Sequence, residues 1–279
     1  MEPQQSALYA KYMNVLHWGV EKIDGVYIFF KWFPIIGGIA KIHRPEKLPD
    51  PQKTLHLIKQ NRVRKLVIEP VEHQDQNALN SWCLTMKKHV ALNYDPFLPT
   101  KTIRVDLKPP EEQIFKSFAE SKRRGVRRAL KYDVIIRESH SIDDLIHVKN
   151  QSEGILGFIT TTGVREMWPL FAPEHMAILL AYSPPPNSHI IAGDLLFFWK
   201  HRAYYWIAGA LREGKKMFAP TLLVWEGVKL AKKRKCSDFD FVGVWDERLP
   251  KQHSEWKGFS KFKEGFGGYT VYYPLIPRN

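Results

Sequence analysis

An α/β (α+β) fold, with mixed central sheets flanked by helices, follows from three features of the sequence. Short runs rich in Val, Ile, Tyr and Phe alternate with amphipathic helical stretches. Apolar residues make up 44% and charged residues 25% of 279 residues, enough for a core in one large domain or two modest ones. No repeat of short period and no low-complexity tract breaks the pattern.

The elements read in order as follows. Ala7 to Leu16 has Leu8, Tyr12, Val15 and Leu16 near one helical face. Trp18 to Phe33 is a strand-rich run broken by Asp24-Gly25, a hairpin signal. Pro34-Ile-Ile-Gly-Gly leads to a short strand, Ile39 to Ile42, and the prolines at 45, 49 and 51 end the strand region. Leu55 to Arg64 reads as a helix and Lys65 to Pro70 as a buried strand, with Glu72 to Asn80 a polar loop or short helix. Tyr94 to Pro99, with two prolines, is the best candidate boundary.

Beyond it, Thr102 to Leu107 alternates as a strand: Ile103, Val105 and Leu107 on one face, Arg104 and Asp106 on the other. One long helix is expected from Glu111 to Lys131, acidic in its first turn and basic in its second half, as the helix dipole favours. Arg124, Arg127, Arg128 and Lys131 recur at i, i+3, i+4, i+7 and form one basic stripe, widened by Lys122 and Arg123. Either a solvated face or a phosphate-binding face has this pattern; the absence of acids from the stripe sets the phosphate reading level with the solvated one, which is otherwise the commoner. Val134 to Arg137 is a strand, Ile142 to Ser152 and Val164 to Phe171 are helices, and Met176 to Tyr182 is a strand. Ile190 to Trp199 and Arg202 to Gly209 pair antiparallel around Lys200-His201. Pro220 to Lys232 is an amphipathic helix and Phe239 to Val244 a buried strand.

The formal net charge of +13 argues for a polyanionic partner (nucleic acid, a phosphorylated substrate or an anionic membrane surface), with simple solubility as the equal alternative. Two cysteines, Cys83 and Cys236, give neither a disulfide framework nor a metal-ligand pattern, and fit a reducing cytoplasm. The amino terminus lacks the regions of a signal peptide. The most apolar window, Gly25 to Ile42, carries Lys31, Pro34 and Lys41 and reads as two strands around a turn rather than a membrane span. Any membrane contact is expected to be peripheral. There is no Walker loop, G-x-G-x-x-G, H-E-x-x-H or G-x-S-x-G. His17, His56, His73, His89 and His201 show neither triad nor metal spacing, so no metal is expected.

The stretch Gly258 to Gly268 is the most unusual, with three Phe, two Lys and four Gly in eleven residues. Read as extended chain, it sets Lys261 and Lys263 on one face and Phe262 on the other. A fixed lysine beside a ring can steady negative charge that develops in a reaction; the alternative is an ordinary strand and turn.

Several pieces taken in order carry a family resemblance. They are Pro99 to Leu107 (PTKTIRVDL), Lys122 to Ala129 (KRRGVRRA), Ile191-Ala-Gly with Tyr204 to Ala210 (YYWIAGA), Ala219 to Glu226 (APTLLVWE), Phe239 to Gly243 (FDFVG) and Phe262 to Gly268 (FKEGFGG). In this order and spacing the chain resembles the Fem family of peptidyltransferases (FemABX). The likeness is looser before Pro99, where Gly38 to Pro45 (GIAKIHRP) looks similar.

The resemblance implies two acetyltransferase-like (GNAT) subdomains, set at 1–98, with 266–279 a candidate completion, and at 99–265. It implies transfer of an aminoacyl group from aminoacyl-tRNA to an amine of a peptidoglycan precursor, nucleotide-linked or lipid-linked. No cofactor is implied beyond the aminoacyl-tRNA co-substrate. The family's Phe-Lys pair falls on Phe262 and Lys263, the lysine steadying the oxyanion of the tetrahedral intermediate. Tyr205 and Asp240 are candidate pocket residues, and Arg124, Arg127, Arg128 and Lys131 candidate contacts to tRNA or precursor phosphate. Of the basic pair that holds the precursor diphosphate in one branch, Lys11 lies near one member. The other falls in Ile159 to Gly163, which has no Arg or Lys. No general base is identified, and the coiled-coil arm of some members is missing. A cytoplasmic monomer is expected, working at or near the inner membrane face. Two other readings stand beside it. In a coenzyme A-dependent GNAT enzyme, Arg212 to Pro220 would cradle pyrophosphate, but that segment has one glycine and no R-x-x-G-x-G/A pattern. A non-catalytic nucleic-acid-binding protein would use the basic helix, but no RRM, KH or helix-turn-helix signature accompanies it.

Overall fold

A computed structural model describes residues 1–154 and 160–277. The chain forms two compact units, each discontinuous in sequence. The first takes residues 1–101, 246–252 and 271–277; the second takes Thr102–Trp245 and His253–Thr270.

The first unit is built on a five-stranded sheet in the order β1-β2-β3-β4-β5. β1 (Gly19–Ile23), β2 (Val26–Phe33) and β3 (Gly37–His43) form an antiparallel meander. Asp24 and Gly25, both at positive φ, make its first turn, the backbone a two-residue hairpin needs. β4 (Val63–Glu69) and β5 (Ala91–Leu92) run parallel to β3, so each is reached through a helix. Three helices carry side-chain caps. Ser6 caps α1 (Ala7–Val15), Asp50 caps α2 (Pro51–Gln60), and Asp75 caps α3 (Gln76–Lys87). The polar run at 72–80 is therefore the cap and first turn of a twelve-residue helix, whose buried Leu79, Trp82, Cys83 and Met86 recur at helical spacing.

The second unit centres on a seven-stranded sheet, order β12-β6-β11-β10-β9-β8-β7. Its strands are β6 (Lys101–Asp106), β7 (Ile135–Ser139), β8 (Met176–Tyr182), β9 (Ile190–Trp199), β10 (Arg202–Ala210), β11 (Asp238–Asp240) and β12 (Tyr269–Tyr272). β7 to β10 are antiparallel, β10 and β11 parallel, and β11 and β6 antiparallel. The helices are α4 (Glu111–Ser117), α5 (Glu120–Lys131), α6 (Ile142–Glu153), α7 (Val164–Phe171), α8 (Arg212–Lys216), α9 (Ala219–Lys233) and α10 (Lys257–Glu264). Phe118, Phe239, Phe241, Phe266, Leu223 and Val224 share one core between sheet and helices. The architecture is mixed α/β, as expected.

Three expected elements differ. The helix over 111–131 is two helices: Phe118 is extended and buried in the core, and the Ala119 N–H is donated to the Gly265 carbonyl at 2.9 Å. The strand over 239–244 stops at Asp240, because Val242 adopts φ 64°. Gly258 to Glu264 is helical, not extended, and ends in a turn where Gly267 and Gly268 take positive φ. Phe259, Phe262 and Phe266 recur at i, i+3 and i+7, a helical spacing that the glycines obscure. Among the described residues no helix is long and apolar enough to cross a membrane.

Two glycines in this stretch make opposite predictions. A Cβ on Gly268 (φ 90°) would lie 2.2 Å from the Arg104 carbonyl oxygen, whereas one on Gly258, inside α10, meets nothing within 4 Å. Denaturant titrations should show Gly268→Ala destabilised by at least ~1 kcal/mol and Gly258→Ala unchanged or more stable by up to ~1 kcal/mol.

Candidate functional site

The second unit's sheet opens at its centre. β10 pairs with β11 over only Arg202–Tyr204 and Asp238–Asp240, then continues to Ala210 alongside β9 alone. The segment after Asp240 turns away at Val242. A β-branched residue at positive φ is a backbone outlier, costing about 1–3 kcal/mol. Two interactions hold it there. Asp240 Oδ1 accepts the Val242 N–H at 2.7 Å. Lys263 Nζ donates to the carbonyls on either side, Phe241 O at 2.8 Å and Gly243 O at 2.7 Å.

Asp240 is itself buried and fully engaged. It also accepts from Thr102 Oγ1 at 2.6 Å and from Arg104 Nε at 2.7 Å, in a pair whose members are both almost inaccessible. Such a desolvated pair is tolerable only because the remaining lone pairs are satisfied. Asp240 therefore braces the turn rather than presenting its carboxylate to a ligand.

Lys263 points inward from α10, with its ammonium 4.7 Å from the centre of the Phe259 ring. An ammonium has three N–H donors, so the two carbonyls leave one to point elsewhere. Burial pulls its pKa down to about 7; the Asp240 charge opposes this and Lys149 adds to it. The helix is fastened beneath by Ser260, which accepts the Trp245 N–H at 2.7 Å and donates to the Trp256 carbonyl. Because the segment is helical, Lys261 and Lys263 do not share a face: Lys261 is exposed and Lys263 partly buried.

Phe262 packs on Phe266 and lies under a second ammonium. Lys122 Nζ sits 3.9 Å from the Phe262 ring centre and 5.1 Å from that of Phe266. Burial lowers the Lys122 pKa to about 8. Gly265 lets the Lys122 side chain pass close by: a Cβ there would lie 2.5 Å from Lys122 Cε, so the lysine would have to move. Lys122 thus leaves the basic stripe in which its sequence neighbours placed it. Its spacing to the buried Val126 and Ala129, i+4 and i+7, is the signal that marks the inward face. Arg124, Arg127, Arg128 and Lys131 are exposed together on α5, while Gly125, Val126 and Ala129 face the core.

Tyr205 is buried on β10, and its hydroxyl donates to Asp194 Oδ1 at 3.2 Å. Asp194 Oδ2 is buried without a hydrogen-bond partner, and burial raises this carboxyl well above the usual range. Nothing in the sequence singles out Asp194, which sits in an otherwise apolar strand. Lys11 is exposed on α1 and belongs to the first unit. Ile159 lies outside the described residues. Among the described residues no three His, Cys, Asp or Glu groups could hold a metal ion.

The first unit contains a separate cavity of about 650 Å³, ligand-sized by general standards. Three of its charged lining groups are committed to internal partners. Arg44 donates to the Pro70 and Pro99 carbonyls and stacks 3.4 Å from the Tyr273 ring centre. Glu69 Oε1 accepts the Phe97 and Leu98 N–H groups, each at 2.6 Å. Arg248 holds Asp246 and the carbonyls of Thr100 and Tyr273. Residues 246–252 join this unit although they are remote from most of it in the chain.

Comparison with known proteins shows which folds this opened central sheet with its flanking helices resembles. Residues 183–274 match the model of the FemAB family. The fold is shared with the crystal structure of FemX, at TM-score 0.74 and 15% identity over 98% of this chain and 90% of that one. L-PGS from Bacillus licheniformis is similar at TM-score 0.61 and 14% identity, covering 100% of this chain and 93% of that one. A tandem GNAT protein from the clavulanic acid biosynthesis pathway is similar at TM-score 0.51 and 10% identity, covering 89% and 77%. No curated protein matches the sequence significantly. The protein thus has a FemX-type, GNAT-like fold, and within it residues 183–274 are similar in sequence to the FemAB family.

The Arg104–Asp240 pair makes a stability prediction. Asp240→Ala leaves Arg104 buried without its counter-charge and should lower unfolding free energy by about 3–5 kcal/mol, whereas an apolar pair, Arg104→Met with Asp240→Leu, should recover only part of it, because the Val242 N–H and the Thr102 hydroxyl still lose their acceptor. Urea unfolding of the two variants against the wild type checks this.

Proposed function

We propose that the protein is an aminoacyltransferase that passes an aminoacyl group from aminoacyl-tRNA to an amine of a peptidoglycan precursor. The observation that carries the reading is the Lys263 ammonium, fixed by two carbonyls beside a strained turn and retaining one free N–H. The FemAB match over the segment containing it supports the same reading.

In this reaction the acceptor amine attacks the ester carbonyl of the charged tRNA. A C–N bond forms, the carbonyl oxygen becomes an oxyanion, and the C–O bond to the terminal ribose then breaks. The proton lost by the amine goes to the departing ribose oxygen. The third N–H of Lys263 meets the oxyanion, and its anchorage on Phe241 O and Gly243 O fixes its position before charge develops. Phe262, held by Lys122, forms one wall beside it. The exposed stripe of Arg124, Arg127, Arg128 and Lys131 contacts phosphates of the tRNA. The reaction needs no further cofactor. Two features disfavour the coenzyme A alternative. Gly214 is packed so closely on Ile191 that a Cβ would lie 2.4 Å from its carbonyl oxygen, and Pro220 removes an N–H from the first turn of α9.

Lys263→Met should reduce kcat/KM for transfer by about 10²–10³-fold, the usual cost of one oxyanion donor, with tRNA affinity nearly unchanged. The active form of Lys263 is protonated, and its pKa is about 7. The pH profile of kcat/KM should therefore descend above about pH 7, and Lys263→Arg, charged throughout, should lack that limb. Reversing Arg124, Arg127 and Arg128 to Glu should weaken tRNA binding and flatten its salt dependence. Unchanged binding would reject the α5 assignment.

A further inference from the structure

The β2–β3 turn of the first unit is apolar where a hairpin turn is normally polar. Trp32, Ile35 and Ile36 are 59%, 96% and 60% exposed, and Pro34 between them is exposed as well. The turn at the opposite end of β2 has the usual character: Asp24 and Gly25, with Asp24 Oδ1 accepting from Lys53 at 2.5 Å. The contrast is between two ends of one sheet.

The surroundings of the apolar tip are cationic. Gly37 packs against Arg64, where a Cβ would lie 2.6 Å from Arg64 Cδ, and Gly38 packs against the Arg62 carbonyl. Both arginines therefore flank the base of the tip. Lys31 Nζ donates to the Leu16 carbonyl at 2.8 Å and so brings the end of α1, with His17, to the same place. Trp18 packs edge-on to Phe33 at 6.1 Å. No Asp or Glu occurs in residues 3–20, 25–45 or 51–68, the segments that build this end of the unit. A protein partner would meet an exposed apolar tip equally well. The acid-free cationic collar is what selects an anionic surface.

We propose that the Trp32–Ile36 tip docks the first unit on an anionic lipid bilayer. Pro34, Ile35 and Ile36 enter the acyl boundary, Trp32 lies at headgroup level, and Arg62 and Arg64 meet lipid phosphates. The contact is peripheral and reversible, since one hairpin tip buries far less apolar surface than a spanning helix. This inference does not depend on the transfer reaction.

Co-sedimentation of the full chain with vesicles tests it. The protein should bind vesicles of phosphatidylcholine mixed with phosphatidylglycerol, bind phosphatidylcholine alone weakly, and dissociate as salt rises. Ile35→Asp with Ile36→Asp should reduce partitioning by about tenfold or more, and Arg62→Glu with Arg64→Glu should do so comparably. These side chains are exposed, so thermal unfolding of the first variant should match the wild type. Equal binding to both vesicle types, or variants that bind as the wild type does, would overturn the proposal. So would a wild-type dimer that Ile35→Asp dissociates in the absence of any vesicle binding, which would assign the tip to a second copy of the chain.

Discussion

The position of one ammonium depends on a chain of buried contacts. Lys263 is fixed by the carbonyls of Phe241 and Gly243. Those carbonyls point correctly because Val242 is held at positive φ, and Val242 is held by Asp240. Asp240 is accommodated in the core because Arg104 and Thr102 share its other lone pairs. Each link satisfies a polar group that would otherwise be costly to bury. A lysine on a short helix has four rotatable side-chain bonds. Two acceptors from one rigid turn remove most of that freedom before any substrate arrives, which is what electrostatic preorganisation requires.

How much of this could be read from the sequence depends on how local each link is. Met176 to Tyr182 and the Ile190–Ala210 hairpin were legible because long apolar runs end at turn residues. The basic face of α5 was legible from its i, i+3, i+4, i+7 spacing. The Arg104–Asp240 pair was not, since its members lie 136 residues apart and each alternates with apolar neighbours on a short strand. Lys122 was obscured by the cations around it, although its spacing to Val126 and Ala129 pointed inward. The helix at 257–264 was misread because glycine weakens helix propensity while tertiary packing, here of Ser260 and Phe266, overrides it. Phe262 and Lys263 are pointed out by the resemblance alone, and a helix rather than an extended chain sets their geometry.

The cations divide into two physical kinds. Arg124, Arg127, Arg128 and Lys131 are exposed, and salt with a Debye length of about 8 Å screens them over most distances at physiological ionic strength. Lys122 and Lys263 are partly buried, with pKa values lowered by desolvation, and salt reaches them much less. In the proposed reaction, long-range attraction of a polyanion and stabilisation of a transient charge are thus assigned to different groups. The net charge of +13 concerns the first task and says little about the second.

The glycine-rich end of the Phe-Lys stretch has a structural reason that follows from the same geometry. Gly265 admits the Lys122 side chain, and its carbonyl accepts the Ala119 N–H at the break between α4 and α5. Gly268 lies against the Arg104 carbonyl at the start of β12, next to β6. Arg104 therefore meets this stretch through its backbone and meets Asp240 through its side chain. Both ends of the arrangement that carries Lys263, the turn at Val242 and the end of α10, are referred to one residue of one strand. The position of β6 therefore bears on both the turn that supplies the acceptor carbonyls and the end of the helix that supplies the ammonium.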